Sequence, residues 1–300
     1  MAIKLKNQLP GVQFAVFFGL TVAMILFNLL INSIFFADIS SVLTDKNVSP
    51  AQISKFKWFQ FASTFLIFVM PALIYGYLSD DKPLRYVGLK RESRIAIFGL
   101  TLVLLVSIQP FAMLLGQLNQ QADFGETFRK LEELSEKALQ KFLVMNSTGD
   151  LLVNILVVAI LPAIGEELFF RGSLQNILER WTQRPVAAII LSSFFFAFFH
   201  FSVFKFLPIF VLGVVLGTLF YITRNLWYSI FFHFVNNTMA LLASYYSQKN
   251  DFMKQLANDE VKFQWWMGLT SLLITILIFY YMRKKNPPER LEKTWQMPVF

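Results

Sequence analysis

Residues 150–172 read DLLVNILVVAILPAIGEELFFRG, an apolar run that ends in two adjacent carboxylates and an arginine. About 20 apolar residues suffice to cross the core of a bilayer as a helix, so the run predicts a membrane-spanning helix over 150–170. Ionisable groups at membrane depth are costly, and by default they mark a functional site. Glu166, Glu167 and Arg171 are therefore the first candidates for such a site.

The rest of the chain has the composition of a membrane protein. Hydrophobic residues make up 56% of the 300 residues and charged residues 15%, with a mean hydropathy of +0.53, whereas soluble domains carry about 25% charged residues. We predict an all-α, polytopic membrane helix bundle with about eight transmembrane helices, each long enough to cross the core of a bilayer. The predicted spans are 11–37, 57–78, 95–118, 150–170, 185–203, 206–223, 226–246 and 264–282.

The chain is basic, with 27 Lys and Arg against 19 Asp and Glu and a formal net charge of +8. The basic residues fall mainly in short loops between the predicted spans, as the positive-inside rule requires, and they form no stripe interleaved with stacking aromatics. We therefore predict an integral multi-pass protein that contacts membrane lipid, with both termini in the cytoplasm and no nucleic-acid partner. The pattern fits a bacterial plasma membrane. Because the chain contains no cysteine, disulfides, thiolate metal sites and cysteine nucleophiles are excluded.

The predicted spans divide the chain into three parts. Residues 1–149 hold the N-terminal spans and a surface segment, 150–246 hold the polar motifs, and 247–300 hold the last span and a cytoplasmic tail. Within 120–149 apolar side chains recur near the helical period, with charged residues on another face. This pattern predicts an amphipathic helix that lies on the membrane or over the bundle. An interfacial connector is favoured over a lid or substrate guide.

The chain contains only two histidines, and both lie in apolar stretches. The turn between the fourth and fifth predicted spans falls near Gln183, with Glu166 lying 17 residues before it and His200 lying 17 residues after it. Equal distances from the turn of an antiparallel helix hairpin mean equal depth, so Glu166 and His200 can face each other. His233 and Asn237 are four residues apart and share one face of the seventh predicted helix.

The three charged residues of the fourth predicted helix divide into a pair and a free acid. Glu167 and Arg171 are spaced i,i+4 with the acid first, the favourable order for an intrahelical ion pair. Two adjacent ionised carboxylates repel, so neutralisation of Glu167 by Arg171 makes this pair a structural support of the site. Glu166 points about 100° away around the helix and is left to act chemically.

These groups together suggest hydrolysis of a carbonyl compound. We predict that Glu166 is the general base on a water molecule and that His200 helps to hold this water. His233 and Asn237 supply N–H donors, which can stabilise a developing oxyanion. Because the bilayer excludes bulk solvent, this chemistry requires a polar catalytic cavity that admits water.

Three motifs, in order along the chain, resemble those of the CAAX protease and bacteriocin-processing family of intramembrane endopeptidases, also called the Abi family. They are Glu-Glu-x-x-x-Arg at 166–171, Phe-x-x-x-His at 196–200 and His-x-x-x-Asn at 233–237. The resemblance, to the CAAX prenyl endopeptidase type, covers roughly 150–246. It implies a multi-helix membrane fold around a cavity and hydrolysis of a peptide bond in a membrane-associated peptide or protein. It also implies that the first Glu and the second-motif His activate water while the third motif stabilises the oxyanion.

The sequence leaves the role of a metal open. Glu166, His200 and His233 could form a zinc site with two histidines, one carboxylate and an open position. A metal-free mechanism suits the same residues, and we favour it because it gives Asn237 a task beside His233.

Two alternative functions come from other classes. One is a non-catalytic membrane scaffold or bacteriocin self-immunity protein of the same fold, which would not need both histidines and Glu166 together. The other is a proton-coupled transporter, which no inverted repeat or pair of broken helices supports. Gly213 and Gly217 are spaced Gly-x-x-x-Gly, a pattern that indicates close helix packing more often than catalysis.

Overall fold

The protein is described here by a computed structural model, which consists of helices and turns without a β-strand in the part of the chain that it describes. Two predicted features lie outside that part: the cytoplasmic tail beyond residue 286, and residue 37, which is the last residue of the first predicted span. The described residues are 4–36, 48–90, 92–252 and 264–286.

The described residues form nine main helices. They are α1 (Pro10–Phe35), α2 (Pro50–Ser79), α3 (Ile95–Gln121), α4 (Glu126–Phe142), α5 (Thr148–Thr182), α6 (Pro185–Phe198), α7 (Phe206–Thr223), α8 (Leu226–Ser247) and α9 (Trp265–Lys285).

Six of these helices are long and apolar enough to cross a membrane: α1, α2, α3, α5, α7 and α9. The prediction of about eight spans is therefore confirmed for six, and the chain is an integral membrane protein. The remaining two are α6, which has only 14 residues, and α8, which has 22. Helix α8 is long enough, but His233, Asn236 and Asn237 lower its hydropathy, so the groups suited to chemistry also weaken its membrane signal.

Helix α5 holds the first motif and departs from regular α geometry twice. It winds as a π-helix over Ile155–Ile160 and again over Leu168–Gln175. Such wider turns re-aim the side chains that follow, and they are frequent at functional sites. All eight residues from Leu168 to Gln175 are buried, so this stretch of α5 lies inside the bundle and does not face lipid.

The predicted close packing at the two glycines of α7 is confirmed. A Cβ atom at Gly213 would lie 3.0 Å from the Ser193 Cβ of α6, and one at Gly217 would lie 2.8 Å from the Gln175 Oε1 of α5. The missing side chains also uncover backbone carbonyls: Gln175 Nε2 donates to the Gly217 oxygen at 3.0 Å. Helix α7 is therefore held against the α5–α6 hairpin by both packing and polar contacts.

The turn of the predicted hairpin is confirmed, but the length of its second helix is not. Helix α5 ends at Thr182, Gln183 adopts a left-handed φ of +55°, and α6 begins at Pro185. We predicted a span to residue 203 with His200 inside it, and this is wrong because α6 ends at Phe198.

The end of α6 has a local cause. The imidazole Nδ1 of His200 lies 2.7 Å from the Phe196 carbonyl oxygen, the acceptor that the His200 backbone N–H would use in a continuing helix. That N–H bonds instead to the Ala197 oxygen at 3.2 Å. The residue after it, Phe201, has a left-handed φ of +53°. A side chain that takes over a helical acceptor competes with the helix itself, so His200 stands in the turn beyond α6.

The amphipathic helix predicted within 120–149 is present as α4, and most of its residues are exposed. Its apolar residues Phe128, Leu131 and Leu134 remain uncovered by the described part of the chain.

Candidate active site

The predicted ion pair within α5 is confirmed, and it is entirely buried. Arg171 Nη1 lies 2.6 Å from Glu167 Oε1, and neither side chain is exposed to any measurable extent (0% each). The other guanidinium nitrogen donates to the Gly213 oxygen at 3.1 Å, and the guanidinium carbon sits 4.3 Å from the centre of the Phe196 ring. Buried charges are tolerated only when they are paired and hydrogen-bonded, so this pair fixes α5 against α6 and α7.

Glu167 also holds the second histidine. The Nδ1 atom of His233 lies 3.1 Å from Glu167 Oε1, the same oxygen that accepts from Arg171. A carboxylate oxygen paired with arginine accepts hydrogen bonds, so we assign the hydrogen of this contact to Nδ1. A continuous chain from Arg171 through Glu167 to His233 thus fixes the orientation of the imidazole and leaves Nε2 for another partner.

Glu166 occupies a different environment from its neighbour. Its Oε2 atom lies 3.9 Å from His233 Nε2, too far for a direct hydrogen bond. That oxygen is buried without a hydrogen-bond partner in the described structure, while the side chain as a whole keeps 15% exposure. Of the two adjacent carboxylates, Glu166 is therefore the one without an arginine or lysine partner among the described residues.

His200 has one committed nitrogen. Because a carbonyl oxygen can only accept, the 2.7 Å contact to the Phe196 oxygen assigns a hydrogen to Nδ1. In the neutral ring Nε2 then carries the lone pair and can accept a hydrogen from water. His200 as a residue is exposed, which suits a group that receives water.

The expected face-to-face arrangement of Glu166 and His200 stays a prediction. No hydrogen bond or ion pair joins these two side chains, both of which are described. The Phe196 ring lies beside both histidines: its centre is 4.8 Å from that of the His200 ring and 5.8 Å from that of the His233 ring. The phenylalanine of the second motif thus contacts both histidines as well as the arginine.

Asn237 is partly engaged by the backbone of α5. Its Nδ2 atom donates to the Val158 oxygen at 3.3 Å. Pro162, four residues after Val158, has no N–H to give to that carbonyl. The Asn237 amide carries two hydrogens, so one stays available. Its oxygen accepts from Asn236 Nδ2 at 3.5 Å, and Gln109 Nε2 of α3 donates to Asn236 Oδ1 at 3.0 Å.

The three possible zinc ligands are not gathered as a metal site. The described residues contain no group of three or more His, Cys, Asp or Glu side chains that could hold a metal ion. Glu166 and His233 approach each other, but His200 meets neither of them in a hydrogen bond or ion pair. This arrangement does not fit a bound zinc ion, and the proposed reaction does not use one.

Two surface grooves of the described part lie away from these residues. One is lined by α2 and the turn after it, including Met70, Tyr77 and Leu84, and the other lies between α3 and α9, beside Pro110 and Trp266. Neither groove contains Glu166, either histidine or Asn237, so the predicted polar cavity stays a prediction.

Residues 148–239 match a protein-family model described as type II CAAX prenyl endopeptidase, Rce1-like. The resemblance to the CAAX protease family is confirmed over this segment. The matched segment contains all three motifs and runs from the start of α5 into α8, while α1–α4 and α9 lie outside it. No curated protein and no solved structure matches this chain.

Sequence reasoning missed several contacts at the site. The prediction uses Phe196 only as the first residue of its motif and misses its contact with His200, although the i,i+4 spacing indicates that the two side chains are neighbours. No feature of the sequence indicates the hydrogen bond between Gln109 and Asn236, because it joins helices that are far apart in the chain. The same holds for the contact between Glu167 and His233.

Proposed function

We propose that this protein is an intramembrane endopeptidase that hydrolyses a peptide bond in a membrane-associated peptide or protein. In this proposal Glu166 is the general base and His200 helps to hold the attacking water. His233 and Asn237 stabilise the oxyanion, and Arg171 with Glu167 supports the site. The observation that carries the proposal is the contrast between two adjacent glutamates, of which Glu167 is paired with a buried arginine and Glu166 lies beside a histidine without an arginine or lysine partner.

The proposed reaction begins with a water molecule beside Glu166. Its oxygen forms a bond to the peptide carbonyl carbon while one of its protons passes to the Glu166 carboxylate. The carbonyl oxygen becomes an oxyanion in the tetrahedral intermediate. When the C–N bond breaks, the same proton passes from Glu166 to the leaving amine, so the carboxylate is regenerated.

His233 and the free amide hydrogen of Asn237 are the proposed donors to the oxyanion. Since Nδ1–H of His233 is committed to Glu167, donation from Nε2 requires the doubly protonated ring. The carboxylates of Glu166 and Glu167 balance the charge of that form. Loss of one such donor typically slows catalysis by about 100- to 1,000-fold.

The test is cleavage of a fluorogenic peptide library by the purified protein in detergent, with and without a chelator. We expect turnover by the wild type that a chelator leaves unchanged. Removal of the base should lower it by about 100-fold or more in E166Q, and H200A should also be impaired. Chelator-sensitive turnover restored by zinc would overturn the role of Glu166 as a base. If E166Q retained the function of the wild type in cells, a non-catalytic scaffold or self-immunity role would replace the proposal.

We also propose that both termini face the cytoplasm of a bacterial cell. Contacts at one end of the bundle support a common side for the described ends of the chain. Lys6 Nζ lies 2.5 Å from Asp80 Oδ2, and Arg94 Nη1 donates to Asn286 Oδ1 at 3.1 Å. Asp80 and Arg94 belong to the same short connection between α2 and α3, so both described ends reach that connection.

A further inference from the structure

The connection between α6 and α7, residues 199–205, contains His200 and is called the His200 loop below. It is anchored from outside the family-matched segment. Asn119, a buried residue near the end of α3, donates from Nδ2 to the Val203 oxygen at 2.7 Å and accepts at Oδ1 from the Leu207 N–H at 2.8 Å. One side chain thus joins the loop to the first turn of α7.

A second anchor comes from α4. The Ser202 hydroxyl donates to Glu132 Oε2 at 2.7 Å, and Lys205 Nζ lies 2.8 Å from Glu132 Oε1. Glu136, one turn later on α4, lies 3.2 Å from the same lysine. Only 13% of the Glu132 side chain is exposed, although α4 is otherwise a surface helix. Its two oxygens are therefore directed at the two polar side chains that follow His200.

The loop needs such anchors because α6 does not extend to His200. Beyond Phe198 the backbone turns through the left-handed Phe201, and the described hydrogen bonds of His200 reach only back to 196 and 197. Phe196 holds the imidazole from the α6 side, and the backbone that carries His200 into α7 is held through residues 201–205. The contacts that hold them come from Asn119, from Glu132 and Glu136 of α4, and from the Phe124 ring, which packs on Phe204.

We infer that Asn119 and Glu132 are positioning residues that orient His200 for the reaction. The inference deepens the proposed function and rests on it, because it assumes that His200 holds the attacking water. It gives α4 a task at the active site, in place of the plain connector favoured by its sequence.

Histidine-selective NMR provides a test that is independent of activity. Ring-labelled protein should give two imidazole signal sets, since the chain has only two histidines, and the variants H200Q and H233Q assign them. We expect E132Q to shift the His200 signals toward a mixture of tautomers and to leave those of His233 in place. The matched control is E133Q, with the same change of charge on an exposed residue of the same helix, and it should move neither set. Equal spectra for E132Q and E133Q would overturn the inference.

Kinetics supply the second readout. Misplacement of a catalytic group by about 1 Å can cost about 100-fold in rate, so we expect kcat to fall by about 10- to 100-fold in E132Q and in N119A, with KM changed less than about twofold. The variant E132K/K205E in an E136Q background restores the ion pair in reverse without a second acid beside it, and it should recover part of the loss seen in E132K/E136Q. A change confined to KM, or no recovery in this triple variant, would contradict a positioning role.

The two readouts separate failure of the inference from failure of the proposed function. If the wild type cleaves peptides and E132Q matches E133Q in both readouts, the positioning role is wrong and the protease stands. If E132Q disturbs only the His200 signals but H200A leaves turnover intact, Glu132 orients a histidine that the reaction does not use. That result would overturn both the role of His200 and the inference built on it.

Discussion

At the scale of single residues, surroundings divide the work between Glu166 and Glu167. The two carboxylates are adjacent in the chain, but one lies against Arg171 inside the bundle and the other faces His233 without an arginine or lysine partner. Removal of one partner from a buried pair leaves an uncompensated charge, which is far more costly than loss of an exposed pair.

The first prediction concerns this buried pair. We expect R171M to lower the free energy of unfolding by about 3–5 kcal/mol, because a buried carboxyl group would lose its arginine partner. The change is measured by reversible unfolding in detergent or bicelles. The matched control is K130M, since Lys130 and Glu126 form a pair with the same i,i+4 spacing and the same 2.6 Å separation, but on the exposed surface.

The control should cost less than about 1 kcal/mol. Equal losses in R171M and K130M would show that burial of the α5 pair has no special weight.

At the scale of residues, the sequence predicted the contacts that the spacing of residues along one helix determines. The pairing of Glu167 with Arg171 follows from positions four apart on one helix. The place of His200 could not be predicted, because its own imidazole caps α6 and no glycine or proline marks that end. The contact of Glu167 with His233 depends on how two helices pack, which spacing within one helix does not contain.

At the scale of helices, small residues decide how closely α7 approaches α5 and α6. Gly217 leaves its carbonyl open to Gln175, and Gly213 leaves its carbonyl open to Arg171. Close approach thus serves the site directly, since the buried arginine uses one of these oxygens.

The second prediction tests this approach. In G217A the new Cβ would lie 2.8 Å from Gln175 Oε1 and 3.2 Å from the Ile189 Cγ2. Overpacking of this kind costs about 1–3 kcal/mol, measured as a loss of unfolding free energy. The matched control is G99A in α3, where nothing lies within 4 Å of the added methyl group. Because alanine favours a helix by about 1 kcal/mol over glycine, G99A should be neutral or stabilising; a loss as large as that in G217A would refute the packing argument.

The third prediction concerns the pH dependence of α4 docking. Burial would raise the pKa of the Glu132 carboxyl, but hydrogen bonds from Lys205 and Ser202 outweigh burial and hold that pKa below its ordinary value of 4.5. Burial would lower the pKa of Lys205, but Glu132 and Glu136 outweigh it and raise that pKa above 10.5.

A depressed carboxyl pKa contributes stability above the ordinary value and loses it as the pH falls through the folded value. A raised lysine pKa contributes stability below its ordinary value and loses it as the pH rises through the folded value. A spin label at the exposed Leu134, introduced as L134C, should therefore keep constant mobility between about pH 5 and pH 10 and become more mobile outside that window. An identical acid transition in L134C/E132Q would exclude Glu132 as its source.

The helices themselves were largely predicted from the sequence, since apolar runs of about 20 residues determine spans. The predicted spans and the structure differ in two places. In α8 the polar residues suited to chemistry lower the hydropathy of the helix. In α6 the contact of the His200 ring with the Phe196 oxygen ends the helix early. The amphipathic period of α4 predicted a surface helix, but not that Glu132 would reach the His200 loop.

At the scale of the whole molecule, the family-matched segment lies between two groups of flanking helices. Helices α1 and α2 pack against α5 and α6 through one apolar cluster that includes Phe17, Tyr75 and Phe170. Helices α3 and α9 pack against α7 and α8 through another that includes Leu104, Leu219 and Phe232. The sequence did not predict these partners, because uniformly apolar helices carry no pattern that selects a neighbour.

The fourth prediction concerns the orientation of this bundle in the membrane. The chain has no native cysteine, so single cysteines report accessibility without further changes. Asn7 and Lys130 are exposed and lie before α1 and on α4. In intact bacteria an impermeant maleimide should label K130C and spare N7C until the cells are opened. Labelling of N7C in intact cells would contradict cytoplasmic termini.

The central claim is that Glu166 does chemistry while Glu167 holds the fold, and paired measurement of turnover and unfolding in E166Q and E167Q tests it most directly. The account predicts that E166Q unfolds at the wild-type temperature and loses turnover by about 100-fold or more, whereas E167Q unfolds at a clearly lower temperature because Arg171 is left unpaired. Wild-type turnover in E166Q, or a loss of stability in E166Q as large as that in E167Q, would contradict it.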